Sequence, residues 1–199
     1  HGVDSFSMQG MTVKAPGVET ATLEGFTITD WTSDKLGEVA IDRLALSVPG
    51  QGQLSIQRFA FGDLVPPSIE AIAAAAMAED SGGDADVASV IPQLGFIEAV
   101  GISAKPSDAP PLSVERFRLD LKDYVGPIPT TFGLDLVDAD VDAALIQDED
   151  VKQMLDKLGY DRVVLDASVH GTWSQAGEIA LDSFAFTMKD VGTVSGDAV

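Results

Sequence analysis

The sequence predicts an α+β protein, mainly β: a curved antiparallel sheet of repeated bulged strands, partly covered by two or three helices. Three observations carry this. An eight-residue apolar–polar unit recurs along the chain. Each copy breaks its own alternation at the same place, and helical spacing occurs only in short stretches between copies.

The unit has apolar residues at positions p, p+2, p+5 and p+7. Its copies are Phe6, Met8, Met11, Val13; Ala21, Leu23, Phe26, Ile28; Val39, Ile41, Leu44, Leu46; Leu54, Ile56, Phe59, Phe61; Leu112, Val114, Phe117, Leu119; and Ile179, Leu181, Phe184, Phe186. A partial copy has Gly95 at p, followed by Ile97, Val100 and Ile102. Position p+3 is always Gln, Glu or Asp (Gln9, Glu24, Asp42, Gln57, Glu98, Glu115, Asp182), and p+4 is Gly, Arg, Ala or Ser. In a strand, p and p+2 share a face, but p+5 and p+7 fall out of phase with them. A β-bulge at the polar dipeptide supplies one extra residue and returns both pairs to one face, and bulges in register bend a sheet. The alternative, two short strands joined by a two-residue turn, leaves arms of only three residues.

Residues 3 to 64 hold four full copies. They are separated by Pro16-Gly17, Ser33-Asp34-Lys35 and Pro49-Gly50-Gln51-Gly52, links short enough for an antiparallel meander. Trp31 follows one unit and is expected to cover a sheet edge or end. A helix is expected from Ser68, a good N-cap, to about Ala78, with Ile69, Ile72, Ala73, Ala76 and Met77 on a narrow face that can lie against the sheet. Glu79 to Asp86 reads as an acidic, Gly-rich link, and Val87 to Leu94 as a short helix closed by Pro92. This helical insertion, 66–94, interrupts the strand series. Further strands and one helix occupy 95–199.

Gly126-Pro127-Ile128-Pro129 reads as an irregular crossing. Phe132, Leu134 and Leu136 alternate as a strand. A helix follows with Asp150 as its cap, Val151, Met154, Leu155 and Leu158 on one face, and Gly159 as its αL terminator. Val163, Leu165, Ala167 and Val169 form another strand with His170 on its polar side. The loop from Gly171 to Gly177 leads to the last unit, and Lys189 to Val199 reads as a weakly patterned tail.

At 199 residues, the chain is expected to be a single domain (1–199) or a fragment of a larger repetitive protein. Its net charge of −20 disfavours nucleic acid and anionic membrane surfaces as partners. It has no cysteine, so disulfides and thiolate metal sites are excluded, and two histidines do not build a multi-histidine site. No stretch approaches the roughly 20 apolar residues of a transmembrane helix. No cofactor motif is present.

Candidate chemistry is sparse. Asp138, Asp140 and Asp142, with Leu145 and Glu149, match an EF-hand register, but Ala143 stands where the loop needs glycine. Ser168, His170 and Asp166 lie on one strand, which suits a polar outer face better than a convergent triad. The expectation is therefore a protein without catalytic residues. Phe59, Phe61, Phe117, Phe184 and Phe186 all occupy p+5 or p+7. They form sheet core if the helices cover them, or line an apolar groove for lipid or another hydrophobic ligand if they do not. Two functions compete: a non-enzymatic binder of such a ligand, and a structural or protein-interaction module with a fully buried apolar face.

The repeated units, together with Gly126-Pro127-Ile128-Pro129-Thr130-Thr131, Leu158-Gly159-Tyr160 and the Trp173 hairpin, resemble uncharacterised bacterial exported β-repeat proteins, AsmA-like in strand grammar. The resemblance implies a periplasmic or other extracytoplasmic location, curved antiparallel sheets and a role in envelope or lipid handling. The chain departs from that group by its inserted helices, its acidity and the absence of a membrane anchor within these residues. No functional residues carry over.

Overall fold

The computed structural model describes residues 2–15, 18–80, 87–174 and 176–198. Ten antiparallel strands follow one another in chain order across one sheet. They are β1 (Val3–Ala15), β2 (Val18–Trp31), β3 (Leu36–Val48), β4 (Gly52–Leu64), β5 (Phe96–Pro106), β6 (Leu112–Val125), β7 (Ile128–Asp142), β8 (Arg162–Trp173), β9 (Ile179–Met188) and β10 (Gly192–Ala198). Helix α1 (Ile69–Asp80) and a single 3₁₀ turn (Val87–Val90) lie between β4 and β5, while α2 (Glu149–Leu158) lies between β7 and β8. The fold class is thus α+β, mainly β.

The register explains the repeat. The apolar pattern p, p+2, p+5, p+7 reads the same from either end, so antiparallel strands aligned on their dipeptides place apolar opposite apolar. Met11 faces Leu23, Leu23 faces Leu44, Leu44 faces Ile56, and Ile56 faces Ile102. At the dipeptides, Gly10, Arg43, Gly101 and Asp138 take left-handed conformations (φ 67°, 50°, 63° and 45°) in the odd strands β1, β3, β5 and β7. Opposite them in the even strands stand Glu24, Gln57, Glu115 and Asp166, forming one seam across eight strands.

The seam differs from the expected set of inserted bulges. Pairing from β1 to β7 keeps one register through it, with Gln9 opposite Gly25 and Met11 opposite Leu23, because both partners break phase together. A true shift occurs between Leu136 and Ala139, where β7 breaks phase and the regularly alternating β8 does not. Gln9 and Gly10, Glu24 and Gly25, and Asp42 and Arg43 all line one shallow depression. Two consecutive residues on one face use up a step of alternation, so the flanking apolar pairs return to the other face. A second kink line lies nearer the strand ends: Asp30 and Asp63 are left-handed (φ 52° for both). Gly37 and Gly95 pass beside them, where a Cβ would come within 2.7 Å of the Asp30 Cβ and 2.3 Å of the Asp63 Cβ.

Several expectations change. In β5 the copy is shifted by two residues: Ile97, Ala99, Ile102 and Ala104 take the apolar positions, and Val100 pairs with Arg58 and Arg116 on the other face. Gly126-Pro127 is not an irregular crossing but a two-residue hairpin turn, with Val125 opposite Ile128 and Gly126 at φ 61°. β7 runs on to Asp142, and the tail forms β10 against β9. Asp148 caps α2 in place of Asp150, accepting from the backbone N–H groups of Asp150 and Val151, and Gly159 closes the helix at φ 77°. Ser68 caps α1 as expected, accepting from the Ala71 N–H. The Pro16-Gly17 turn and most of the acidic link lie outside the described residues.

Candidate functional site

The register assembles four apolar rows, two on each side of the seam. One runs through Met8, Phe26, Ile41, Phe59, Ala99, Phe117, Leu136, Ala167, Phe186 and Val194. The next runs through Phe6, Ile28, Val39, Phe61, Ile97, Leu119, Leu134, Val169 and Phe184. The five phenylalanines singled out from the sequence therefore share two adjacent rows of one face. Phe59 and Phe61 stack tilted at 6.4 Å, and Phe184 and Phe186 at 6.2 Å. Phe59 and Phe117 flank Ala99, which they leave only 6% exposed.

Little covers this face. Among the described residues no large side chain is fully buried, and Phe186 remains 51% exposed. Coverage comes from α2, whose Leu155 packs on Ala143, Val163, Ile146, Tyr160 and Met188 at one corner. Helix α1 meets the 3₁₀ turn and leaves Ile69, Ile72 and Met77 exposed. The whole surface measures 12606 Å². A compact monomer of 20.8 kDa exposes about 8,900 Å². Ten strands at ~4.8 Å spacing, with rows spanning ~20 Å along each strand, give an apolar face on the order of 900 Å². That exceeds the roughly 300–600 Å² patch of an ordinary monomer.

The opposite face carries the charge. Each arginine is ion-paired: Arg43 with Glu24, Arg58 with Glu38 and Asp42, Arg116 with Glu98, Arg118 with Glu98 and Asp120, and Arg162 with Asp140 and Asp142. Asp42 and Arg58 face each other across β3 and β4, and Ala40 and Ala60 are buried beside them. Arg118 donates through Nε and Nη2 to the two oxygens of Asp120 at 2.8 Å, holds that carboxyl below its usual range, and lies 4.6 Å over the Phe96 ring. On the seam the Glu115 carboxyl is pushed up by its hydrogen bond to Asp138, by that residue's charge, by desolvation, and by the charge of Asp166.

The structure separates the remaining sequence candidates. Asp138, Asp140 and Asp142 lie along a strand. The Asp138 N–H donates to Asp166 at 2.8 Å, Arg162 holds Asp140 at 2.9 Å, and Asp142 accepts from the Ala144 N–H. Glu149 opens α2 instead of closing a loop with them. Among the described residues, no group of three or more potential ligands gathers to hold a metal. His170 is 3.5 Å from Asp135, whereas Asp166 faces the seam, so Ser168, His170 and Asp166 do not converge. Trp31 sits half-exposed at the end of β2, opposite Val3 and Leu36.

Sequence reasoning missed Val194, which β10 adds to the end of the first row from a tail read as weakly patterned. Its segment carries no copy of the unit, so only the pairing of Val194 with Phe186 reveals it. Comparisons with protein-family models, with curated proteins and with solved structures each found no match.

Proposed function

We propose that this chain is a non-enzymatic envelope protein that binds or shields a hydrophobic ligand, acyl chains of lipid, on the apolar face of its sheet. One observation carries the reading: beyond the α2 corner, no layer of the described residues packs over the four registered apolar rows, while the charges lie on the other face. Burying a phenylalanine against an acyl chain contributes roughly 1.5–3 kcal/mol, so a few such contacts suffice for micromolar affinity. The extracytoplasmic location rests on the strand grammar alone. The competing module, with its apolar face buried inside the chain, lacks a covering layer among the described residues.

The test is lipid extraction of protein purified from cells, followed by titration with the neutral dye Nile red. Co-purified lipid and enhanced dye fluorescence are expected. The double variant Phe59→Asp/Phe117→Asp should bind at least about tenfold more weakly, a loss of 1.4 kcal/mol, with unchanged far-UV circular dichroism. Absence of both lipid and dye binding, or equal binding by the variant, would overturn the proposal.

A further inference from the structure

We infer that one end of the sheet, where β2, β4, β6 and β8 finish and β3, β5, β7 and β9 begin, docks on a lipid bilayer with neutral headgroups. As a source of acyl chains, this docking rests on the ligand proposed above. Exposed apolar side chains gather at this end from separate connections. Trp31 ends β2, Ile69 and Met77 belong to α1, Ile91 follows the 3₁₀ turn, Ile128 opens β7 and Ile179 opens β9. They are 47–82% exposed, and none lies on an edge strand. From β2 to β9 they span on the order of 30 Å, so a flat partner meets several at once.

Helix α1 is fixed at this end without being packed into a core. Val65 and Gln93 exchange main-chain hydrogen bonds of 2.9 and 3.0 Å at its base. Gln93 Nε2 donates to the Gly126 carbonyl in the β6–β7 turn at 3.1 Å, and the Tyr124 hydroxyl donates to the Leu94 carbonyl at 2.6 Å. The helix itself meets the 3₁₀ turn and carries no charge from Ala71 to Ala78.

Continuity selects the occupant. Trp31, Leu36 and Leu64 pair across β2, β3 and β4, three residues beyond the row members Ile28, Val39 and Phe61. The kink line at Asp30 and Asp63 uses up one step of alternation between them, as the seam does, so this short fifth row stays on the apolar face. In these strands the face therefore reaches the sheet end without a charged break. Both tryptophans of the chain lie here, Trp173 opposite Ile179, and tryptophan favours the membrane–water interface. Helix α1 has no basic residue, Lys35 is held by Asp63 at 2.7 Å, and the net charge is −20, which favours neutral over anionic headgroups. At the opposite end, the exposed Met154 and Leu158 of α2 stand among Asp148, Asp150 and Asp156, whose charges resist burial.

Vesicles of phosphatidylcholine are the probe. The protein should float with them through a density gradient, its tryptophan emission shifting to the blue and being quenched by brominated acyl chains. Ile69→Asp/Met77→Asp should float at least about tenfold less, with its melting curve and Nile red binding unchanged. Met154→Asp and Phe59→Asp/Phe117→Asp should float like the parent, and phosphatidylglycerol in the vesicles should weaken binding at low salt. Flotation without Nile red binding would remove the acyl-chain reading and leave the docking. A parent that does not float, an Ile69→Asp/Met77→Asp variant that floats equally, an equal loss in either control, or a preference for phosphatidylglycerol would each overturn the inference.

Discussion

If the seam is what returns the apolar pairs to one face, its left-handed residues must resist side chains that ordinary strand positions accept. Gly101 gives the cleanest perturbation. Its φ of 63° is left-handed, and a Cβ there would sit 2.4 Å from Cγ and Cδ of Gln57. Left-handed backbone costs an alanine about 1–2 kcal/mol, partly offset by about 0.4–1 kcal/mol from the stiffer unfolded chain. Displacing the exposed Gln57 side chain from its rotamer adds about 0.5–1.5 kcal/mol. Gly101→Ala should therefore lose about 1–2 kcal/mol, or ~2–8 °C in Tm for a chain of this size. Gln57→Ala in that background should restore the rotamer share, a coupling readable by a double-mutant cycle. Arg43→Gly should fall within about 0.5 kcal/mol of the parent: relief of the left-handed strain and the added chain entropy roughly cancel, and an exposed ion pair to Glu24 contributes little. Urea unfolding followed by far-UV circular dichroism reads all five proteins, Gln57→Ala alone included to close the cycle. A neutral or stabilising Gly101→Ala, or no coupling to Gln57, would refute the seam as the phase-restoring device.

Two further perturbations probe the corner helix and the acidic end of the seam. Leu155 is 2% exposed beneath α2, and its replacement by alanine removes about 2–4 kcal/mol of local packing. Hydrogen exchange at residues 149–158 should accelerate at least about 30-fold, with β2–β5 unaffected. Glu115 has its carboxyl raised by the hydrogen bond to Asp138 and by the neighbouring charges, so the fold favours its protonated form. That stabilisation is full below the ordinary glutamate range and is lost as pH rises through the folded value. Glu115→Gln should raise the melting temperature at neutral pH and not at acidic pH; an equal change at both would remove the assignment.

The strand grammar was legible because it is local. Residues such as Leu54, Ile56, Phe59 and Phe61 reveal their spacing without reference to any neighbour. What escaped depended on pairing. Inserted bulges and a matched seam give the same pattern within one strand, and only the constant register from Gln9–Gly25 to Met11–Leu23 separates them. In β5 the alanines Ala99 and Ala104 hold row positions, so reading by hydrophobicity preferred Val100 and slipped by two. β10 was invisible because Thr193, Ser195 and Gly196 carry little pattern, and β9 alone orders them as a strand. The apolar face was only half legible: the side-chain types were visible, but whether α1 lay over them depended on packing that its alanine-rich sequence does not dictate.

The open apolar face has its physical root in the symmetry of the unit. An apolar pattern that reads alike in both directions suits any antiparallel neighbour carrying the same pattern, so the sheet grows by repetition and does not need a second layer to define its register. The cost is an apolar face on the order of 900 Å² that nothing in the described chain shields beyond the α2 corner. Stacking two such faces would bury it, but would oppose two chains each of net charge −20. An acyl chain covers that face without bringing a second protein's charge to it.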